Sequence, residues 1–186
     1  MDVHIEPYSS EWEVWFKNIS YKLSYALREI SCSIEHVGST SVEGLDAKPI
    51  IDIDIILDKF DNFESAKKIL EKIGYHHRGN LGIKGRENFE TSTPIHPHNL
   101  YVCDPQALAV KNHLVFRRHL INNPEDAKKY AFLKQELAQK YPHNIDGYCE
   151  AKTEFISNIL SQYNFDLTEI NLIKRANTEN NFKTNK

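Results

Sequence analysis

Hydrophobic residues recur every three or four positions near the start of the chain, which is the spacing of one face of an α-helix. They predict an amphipathic helix over about residues 10–30. A short strand over 33–38 should follow, and then small residues over 39–45 that can hold one helical turn. The apolar positions of the first helix are Trp12, Phe16, Ile19, Leu23, Leu27 and Ile30. This spacing places them on the side that packs against the core.

The β-branched run over residues 50–57 is the strongest strand signal in the chain. Side chains alternate between the faces of a strand, so Asp52 and Asp54 share one face. The apolar residues around them indicate a buried strand, and the run contains no lysine or arginine to pair with them. Two buried like charges are costly unless something compensates them. We therefore predict Mg²⁺, which binds carboxylates together with phosphates and water, on this pair. The alternative is a pair on a solvated face.

The remaining pattern predicts one more helix, a β region and then a helical C-terminal part. A helix should begin at residues 61–62 and end at Gly74, and glycine-punctuated β structure should occupy 75–102. The later helices are predicted near 105–121, 124–141 and 146–163. The first two follow Asp-Pro and Asn-Pro pairs, which suit helix starts.

Length and charge limit the function classes. The 186 residues suit a single domain, which we place over residues 1–165. Residues 166–186 are rich in asparagine and lysine, and we predict a flexible tail there. The net charge of −3 provides no basic field for nucleic acid or an anionic membrane, so we expect neither as a partner. Small nucleotides remain as ligands, and the oligomeric state stays open.

Three scattered cysteines without a Cys-x-x-Cys pair are typical of free thiols in a reducing compartment. The chain has no run of 18 apolar residues, and its first residues lack the basic start and apolar run of a signal peptide. We therefore expect a cytoplasmic protein.

A second chemical signal is the turn at Gly38, within the sequence His-Val-Gly-Ser-Thr-Ser. Glycine allows a sharp turn and a close approach of a phosphate to the backbone. Ser39, Thr40 and Ser41 offer hydroxyl and N–H groups at a predicted helix start, where the helix dipole favours anions. Taken alone, the segment is equally typical of a plain helix cap. Combined with the Asp-x-Asp strand twelve residues later, it predicts a phosphate site.

This combination of strand, Gly-Ser turn and Asp-x-Asp strand resembles the nucleotidyltransferase superfamily that includes DNA polymerase beta, and more narrowly the GrpB family. The resemblance covers about residues 5–163. Its blocks are residues 34–54, which are the most specific, and then 85–89, 98–102, 116–120 and 148–152. It implies an α+β fold, namely a nucleotidyltransferase-like mixed β-sheet flanked by helices, with a helical C-terminal part.

The resemblance also implies roles for individual residues. It places Gly38, Ser39 and Thr40 near the phosphates of a nucleotide, and Asp52 and Asp54 on the metal in a catalytic role. It further implies a phosphate contact for Lys152, for which an ordinary surface lysine is the alternative.

Active members of the superfamily usually add a third carboxylate from a neighbouring strand. Glu87 is our first candidate for this catalytic acid and Glu90 is the second. The alternative is that the position near His98 carried the third acid in active members and has lost it in this chain. With three acids, two metal ions would hold a nucleoside triphosphate and activate an acceptor hydroxyl. Without the third, the protein would bind a nucleotide without turning it over.

Three hypotheses therefore stand. The first is a magnesium-dependent nucleotidyltransferase acting on a small acceptor or a protein side chain. The second is a non-catalytic nucleotide- or metabolite-binding module with the same fold, and the third is an interaction protein whose acidic pair is structural. A zinc site among the histidines at 76–77 and 96–98 is a weaker alternative, because nine histidines make chance neighbours common. The basic residues at 111–118 are predicted to form a solvated helix face rather than a phosphate clamp.

Overall fold

The computed structural model describes residues 3–179, with side chains as far as residue 177. The helices are α1 (Glu11–Ala26), α2 (Phe63–Lys72), α3 (Leu108–Asn122), α4 (Pro124–Lys140), α5 (Ile145–Ala151), α6 (Thr153–Leu160) and α7 (Leu167–Glu179). The strands are β1 (Cys32–Val37), β2 (Ile51–Leu57), β3 (His76–Gly79), β4 (Arg86–Glu90) and β5 (His98–Cys103). Within residues 3–179, every helix falls short of the length and apolar character that crossing a membrane requires.

The five strands form one mixed sheet in the order β1-β2-β5-β4-β3. β2 and β5 run parallel, whereas the other neighbouring strands pair antiparallel. A parallel pair needs a crossover connection, and the segment containing α2, β3 and β4 supplies it. The predicted mixed sheet flanked by helices is confirmed.

The two faces of β2 serve different purposes, as the alternation in its sequence predicts. The first face carries Ile51, Ile53 and Ile55, which are fully buried in the main core under α1 and α2. The second face carries Asp52 and Asp54 and lies under α3, whose His113 contacts Asp54. The sheet therefore keeps its apolar core on one side and presents its polar side chains on the other.

The predicted flexible tail needs correction. α7 begins at Leu167, and its buried Ile170 and Ile173 pack against Leu160 and Phe165. These isoleucines are three residues apart, a helical spacing that the polar composition of the segment obscured. Residues 180–186 lie outside the described residues. The predicted helix over 146–163 also differs, because Lys152 separates it into α5 and α6.

Candidate nucleotide and metal site

The Gly38 turn and the acidic strand lie against each other. β1 ends at Val37, which pairs with Asp52 across the antiparallel ladder, so the chain turns beside this carboxylate. Gly38 has a φ of +72°, and a Cβ atom built on it would lie 2.2 Å from Asp52 Oδ2. Only glycine can therefore occupy this position without moving the carboxylate. The carboxylate of Asp52 and the start of the Ser39–Ser41 turn share one small space.

Asn99 holds the other oxygen of Asp52. The parallel pairing of β2 with β5 places Asn99 directly opposite Asp52, and Asn99 Nδ2 donates a hydrogen bond of 2.7 Å to Asp52 Oδ1. Burial raises the pKa of Asp52, and this hydrogen bond opposes the shift because it favours the ionised carboxylate. An amide therefore stands next to the acidic pair on the neighbouring strand.

Asp54 is fully buried and engaged on one side only. His113 on α3 donates from Nδ1 to Asp54 Oδ2 over 2.7 Å. The other oxygen, Oδ1, is buried and has no hydrogen-bond partner among the described residues. A buried carboxylate oxygen without a partner is costly, so this atom suits a bound cation or an ordered water.

Glu87 does not reach this site, which corrects its assignment as the third catalytic carboxylate. Glu87 pairs in register with Val102, on the face opposite Asp52, and its Oε2 lies 2.7 Å from His77 Nε2. Glu90 is exposed and pairs with Arg78. His98 also lies on the opposite face, where Tyr75 Oη donates to its Nε2 over 2.8 Å.

A small cavity of about 80 Å³ opens beside Asp52 and brings three lysines together. Its lining residues are Ser39, Thr40, Ala47, Lys48, Ile50, Asp52, Asn99, Lys134, Tyr148 and Lys152. Burial is the main factor lowering the pKa of Lys48, and the positive charge of Lys152 contributes. Lys48, Lys134 and Lys152 therefore line the same small cavity as the carboxylate of Asp52.

Lys134 is the most deeply placed of these lysines, with 2% of its surface exposed. Its ammonium donates to the backbone oxygen of Asp46, and Nζ lies 4.8 Å from the centre of the Tyr130 ring. Sequence reasoning missed this residue. A signal exists, because Lys134 follows Tyr130 by four residues and precedes Leu137 by three, which places it on the apolar face of α4.

The family model described as GrpB protein matches residues 2–162 of the chain. The chain belongs to the GrpB family. The UPF0157 protein YqkA of Bacillus subtilis (strain 168) is 32% identical over 154 residues, which are 83% of this chain and 45% of YqkA. The glutamate-rich protein GrpB of Alkalihalophilus pseudofirmus is 31% identical over 166 residues, covering 87% of this chain and 95% of that relative. The chain thus spans less than half of one relative and nearly all of the other.

Solved structures show the same fold. Conserved protein GrpB from Enterococcus faecalis is 32% identical, with a TM-score of 0.75 over 92% of this chain and 98% of that one. The Cid1 poly(U) polymerase is 13% identical, with a TM-score of 0.56 over 79% of this chain and 50% of the Cid1 chain. At that identity the likeness concerns the fold alone, and it confirms the nucleotidyltransferase-like fold.

In this GrpB chain, Thr40 supports the turn. It is buried, and its hydroxyl donates to the backbone oxygen of Ile50 over 3.3 Å, while His36 Nε2 lies 3.0 Å from the hydroxyl oxygen Oγ1 of Thr40. Burial, assisted by the charge of Arg117, lowers the pKa of His36 to about 4, so this ring is neutral near pH 7. Although Thr40 borders the cavity, its hydroxyl already makes hydrogen bonds within the protein.

Of the basic residues of α3 predicted to form a solvated face, Arg118 is exposed, whereas Lys111, His113 and Arg117 are half-buried and paired, which corrects the prediction for these three. Arg117 donates to Glu35 Oε2 over 3.0 Å and to the backbone oxygen of His36. Lys111 pairs with Glu169 on α7 over 2.7 Å. Together with the His113 contact to Asp54, these bonds fix α3 over the polar face of the sheet beside the Gly38 turn.

The donor set fits magnesium better than zinc. Across residues 3–179, no group of three or more histidine, cysteine, aspartate or glutamate side chains is arranged to hold a metal ion. Zinc sites in proteins usually need three or four such ligands. Mg²⁺ needs only one or two carboxylates when phosphate oxygens and water complete its shell. Asp52 and Asp54, on one face of β2, are two such carboxylates, and Asp54 Oδ1 has no hydrogen-bond partner among the described residues.

Lys134→Met is expected to flatten the pH dependence of stability above neutral pH. Burial lowers the pKa of Lys134 from 10.5 to about 7 in the folded protein. Between these values the unfolded chain binds a proton that the folded chain lacks, so the contribution of Lys134 makes stability rise with pH. Urea unfolding at several pH values from about 7 to 9 measures the slope, which should be smaller in the variant.

The matched control is Lys140→Met, an exposed lysine on the same helix, which should keep the slope of the unmodified protein. Equal slopes for Lys134→Met and the unmodified protein would show that Lys134 titrates normally.

Proposed function

We propose that this GrpB-family chain binds a nucleoside triphosphate together with Mg²⁺ at the Gly38 turn. The observation that carries the proposal is the convergence of three lysines with Asp52 in one cavity beside that turn. The lysines provide charge for the phosphates, and the acidic pair provides ligands for the cation. Cid1, which shares the fold, has been solved with MgATP bound, and this supports the assignment.

Each residue has a defined part in this proposal. Asp52 Oδ2 and Asp54 Oδ1 would hold the cation, while Asn99 and His113 orient the two carboxylates by their hydrogen bonds. Ser39 and the ammonium groups of the cavity face the phosphates. Bound Mg²⁺ would neutralise phosphate charge, which otherwise repels the acidic pair. Lys134 must give up its bond to Asp46, or share it, when an anion binds.

Asp52→Asn is expected to abolish the magnesium dependence of nucleotide binding. The substitution keeps the shape of the side chain but removes the charge that would hold the cation. Isothermal titration of ATP, GTP, CTP and UTP, with Mg²⁺ and with a chelator, measures it. Asp61→Asn is the control, because Asp61 is exposed in the turn before α2. Absence of nucleotide binding by the unmodified protein, with or without Mg²⁺, would refute the proposed function.

Nucleotidyl transfer is the second candidate. The unpartnered Oδ1 of Asp54, on the same strand face as Asp52, favours it by offering a further cation ligand. The amide of Asn99, in place of an acid, argues for binding without turnover. In the transfer, an acceptor hydroxyl oxygen would bond to the α-phosphorus, pyrophosphate would leave, and the hydroxyl proton would pass to solvent.

Release of pyrophosphate measures this second candidate. The chain is incubated with Mg²⁺, each triphosphate and a panel of hydroxylated acceptors and proteins. Stoichiometric release above that of Asp52→Asn supports transfer. Binding without release across the panel favours the binding module.

A further inference from the structure

We propose that this site recognises the phosphate chain of its ligand and not the nucleoside, so that its ligand class is the polyphosphates. Inorganic tripolyphosphate would then bind, and the four nucleoside triphosphates would bind with similar affinity. This inference rests on the proposed function, and it specifies which part of the ligand the protein recognises.

The cavity is too small to enclose a base. Its volume is about 80 Å³. An engineered cavity of about 150 Å³ is what holds benzene, and pockets that bury whole small molecules are roughly 300–1,000 Å³. A purine is larger than benzene, and so is a chain of three phosphates, so only a terminal phosphate group can enter between the lysines. The nucleoside must remain outside the walls of the cavity.

The larger grooves on the described surface do not extend this cavity. Four of them have volumes of about 520, 630, 420 and 370 Å³. None of the four shares a lining residue with the 80 Å³ cavity. A nucleoside attached to phosphates in the cavity therefore has no preformed pocket of its own among these grooves.

The aromatic rings beside the cavity are already covered by ammonium groups. Lys152 Nζ lies 4.2 Å from the centre of the Tyr148 ring, and Lys134 Nζ lies 4.8 Å from that of Tyr130. A base that stacked on either ring would displace a cation that the ring attracts. Lys134 and Lys152 also line the cavity, so a phosphate group that enters it comes close to ammonium groups that can donate to its anionic oxygens.

Two of the polar groups beside the cavity that could read a base edge already make hydrogen bonds within the fold. Asn99 spends its amide nitrogen on Asp52, and the Thr40 hydroxyl donates to Ile50. The lysines have only donors, which match anionic oxygens of any nucleotide equally. The cavity therefore favours an anionic phosphate group over any particular base.

Competition calorimetry with the full chain in Mg²⁺ tests this inference. The probes are inorganic tripolyphosphate, pyrophosphate, adenosine, AMP and the four nucleoside triphosphates. We expect affinities of the four triphosphates to agree within about threefold, tripolyphosphate to displace ATP completely, and adenosine not to bind. Pyrophosphate and AMP should bind more weakly than ATP, because each offers fewer charged oxygens.

Two lysine variants locate the effect. Lys152→Met, at a partly exposed position, and Lys134→Met, at a buried one, should each weaken tripolyphosphate and ATP by the same factor, about tenfold or more. Lys140→Met, outside the cavity, should leave both affinities unchanged. Thermal unfolding shows whether each variant is folded. If Lys134→Met is unfolded, Lys152→Met alone tests the inference.

The outcomes separate this inference from the proposed function. If one triphosphate binds at least tenfold more tightly than the others, or if tripolyphosphate fails to displace bound ATP, phosphate-chain recognition is wrong while nucleotide binding stands. If no probe binds, both are wrong.

Discussion

Gly38→Ala is expected to weaken binding of a magnesium–nucleotide complex by about tenfold or more, because losing an interaction with a charged group costs about 1.5–3 kcal/mol and 1.4 kcal/mol is tenfold in affinity. The added methyl carbon would lie 2.2 Å from Asp52 Oδ2 and 3.0 Å from its carboxyl carbon, so the carboxylate must move. With a φ of +72° and a ψ of −171°, Gly38 lies in a region that is essentially restricted to glycine, and a residue with a side chain there costs about 1–3 kcal/mol. Calorimetric titration and urea unfolding measure the two effects separately.

Gly44→Ala is the matched control for this experiment. Gly44 has a φ of +75°, close to that of Gly38, but nothing lies within 4 Å of a Cβ atom built on it. Both variants should therefore lose stability, because a side chain disfavours a positive φ, and only Gly38→Ala should lose ligand affinity. Equal losses of affinity would mean that the contact between Gly38 and Asp52 does not organise the site.

Local patterns were enough to predict the strand and the turn that form the site. The period-two alternation over 50–57 placed Asp52 and Asp54 on one face, and the structure shows that face opposite the apolar core. The glycine in the turn at Gly38 indicated a backbone bend, and its φ of +72° fits that expectation. These inferences use only residues that are close together in the sequence, so they do not require knowledge of the tertiary structure.

The partners of the two acids depend on long-range pairing, which the sequence pattern does not contain. Asn99 lies 47 positions from Asp52, and His113 lies 59 positions from Asp54. The face on which Glu87 lies depends on the order of β4 and β5 in the sheet and on the register of their pairing. An error in the order or in the register places the acid on the wrong face. In the structure Glu87 faces His77 instead.

The lysine cluster was hidden for a related reason. Lys48, Lys134 and Lys152 come from three separate segments and meet only when α4 and α5 pack beside the Gly38 turn. Lys134 could have been noticed as a charge on an apolar helix face. That observation predicts a buried amine, but not that two other lysines lie beside it.

His113→Leu is expected to lower the free energy of unfolding by about 2–3 kcal/mol when measured in the presence of a chelator. The variant removes the donor to a carboxylate with no exposed surface, whose second oxygen already has no partner among the described residues. Asp54 would then be a buried charge without any hydrogen bond. The chelator matters because a bound cation would compensate the same charge.

A double-mutant cycle with Asp54→Asn shows whether the loss comes from that stranded charge. In the Asp54→Asn background the carboxylate is gone, so His113→Leu should cost less than half as much as in the unmodified protein. His76→Leu, at an exposed histidine of β3, is the control and should change stability by no more than about 0.5 kcal/mol. If the cost of His113→Leu is the same in both backgrounds, the loss reflects the packing of α3 alone. The hydrogen bond from His113 would then not be what stabilises Asp54.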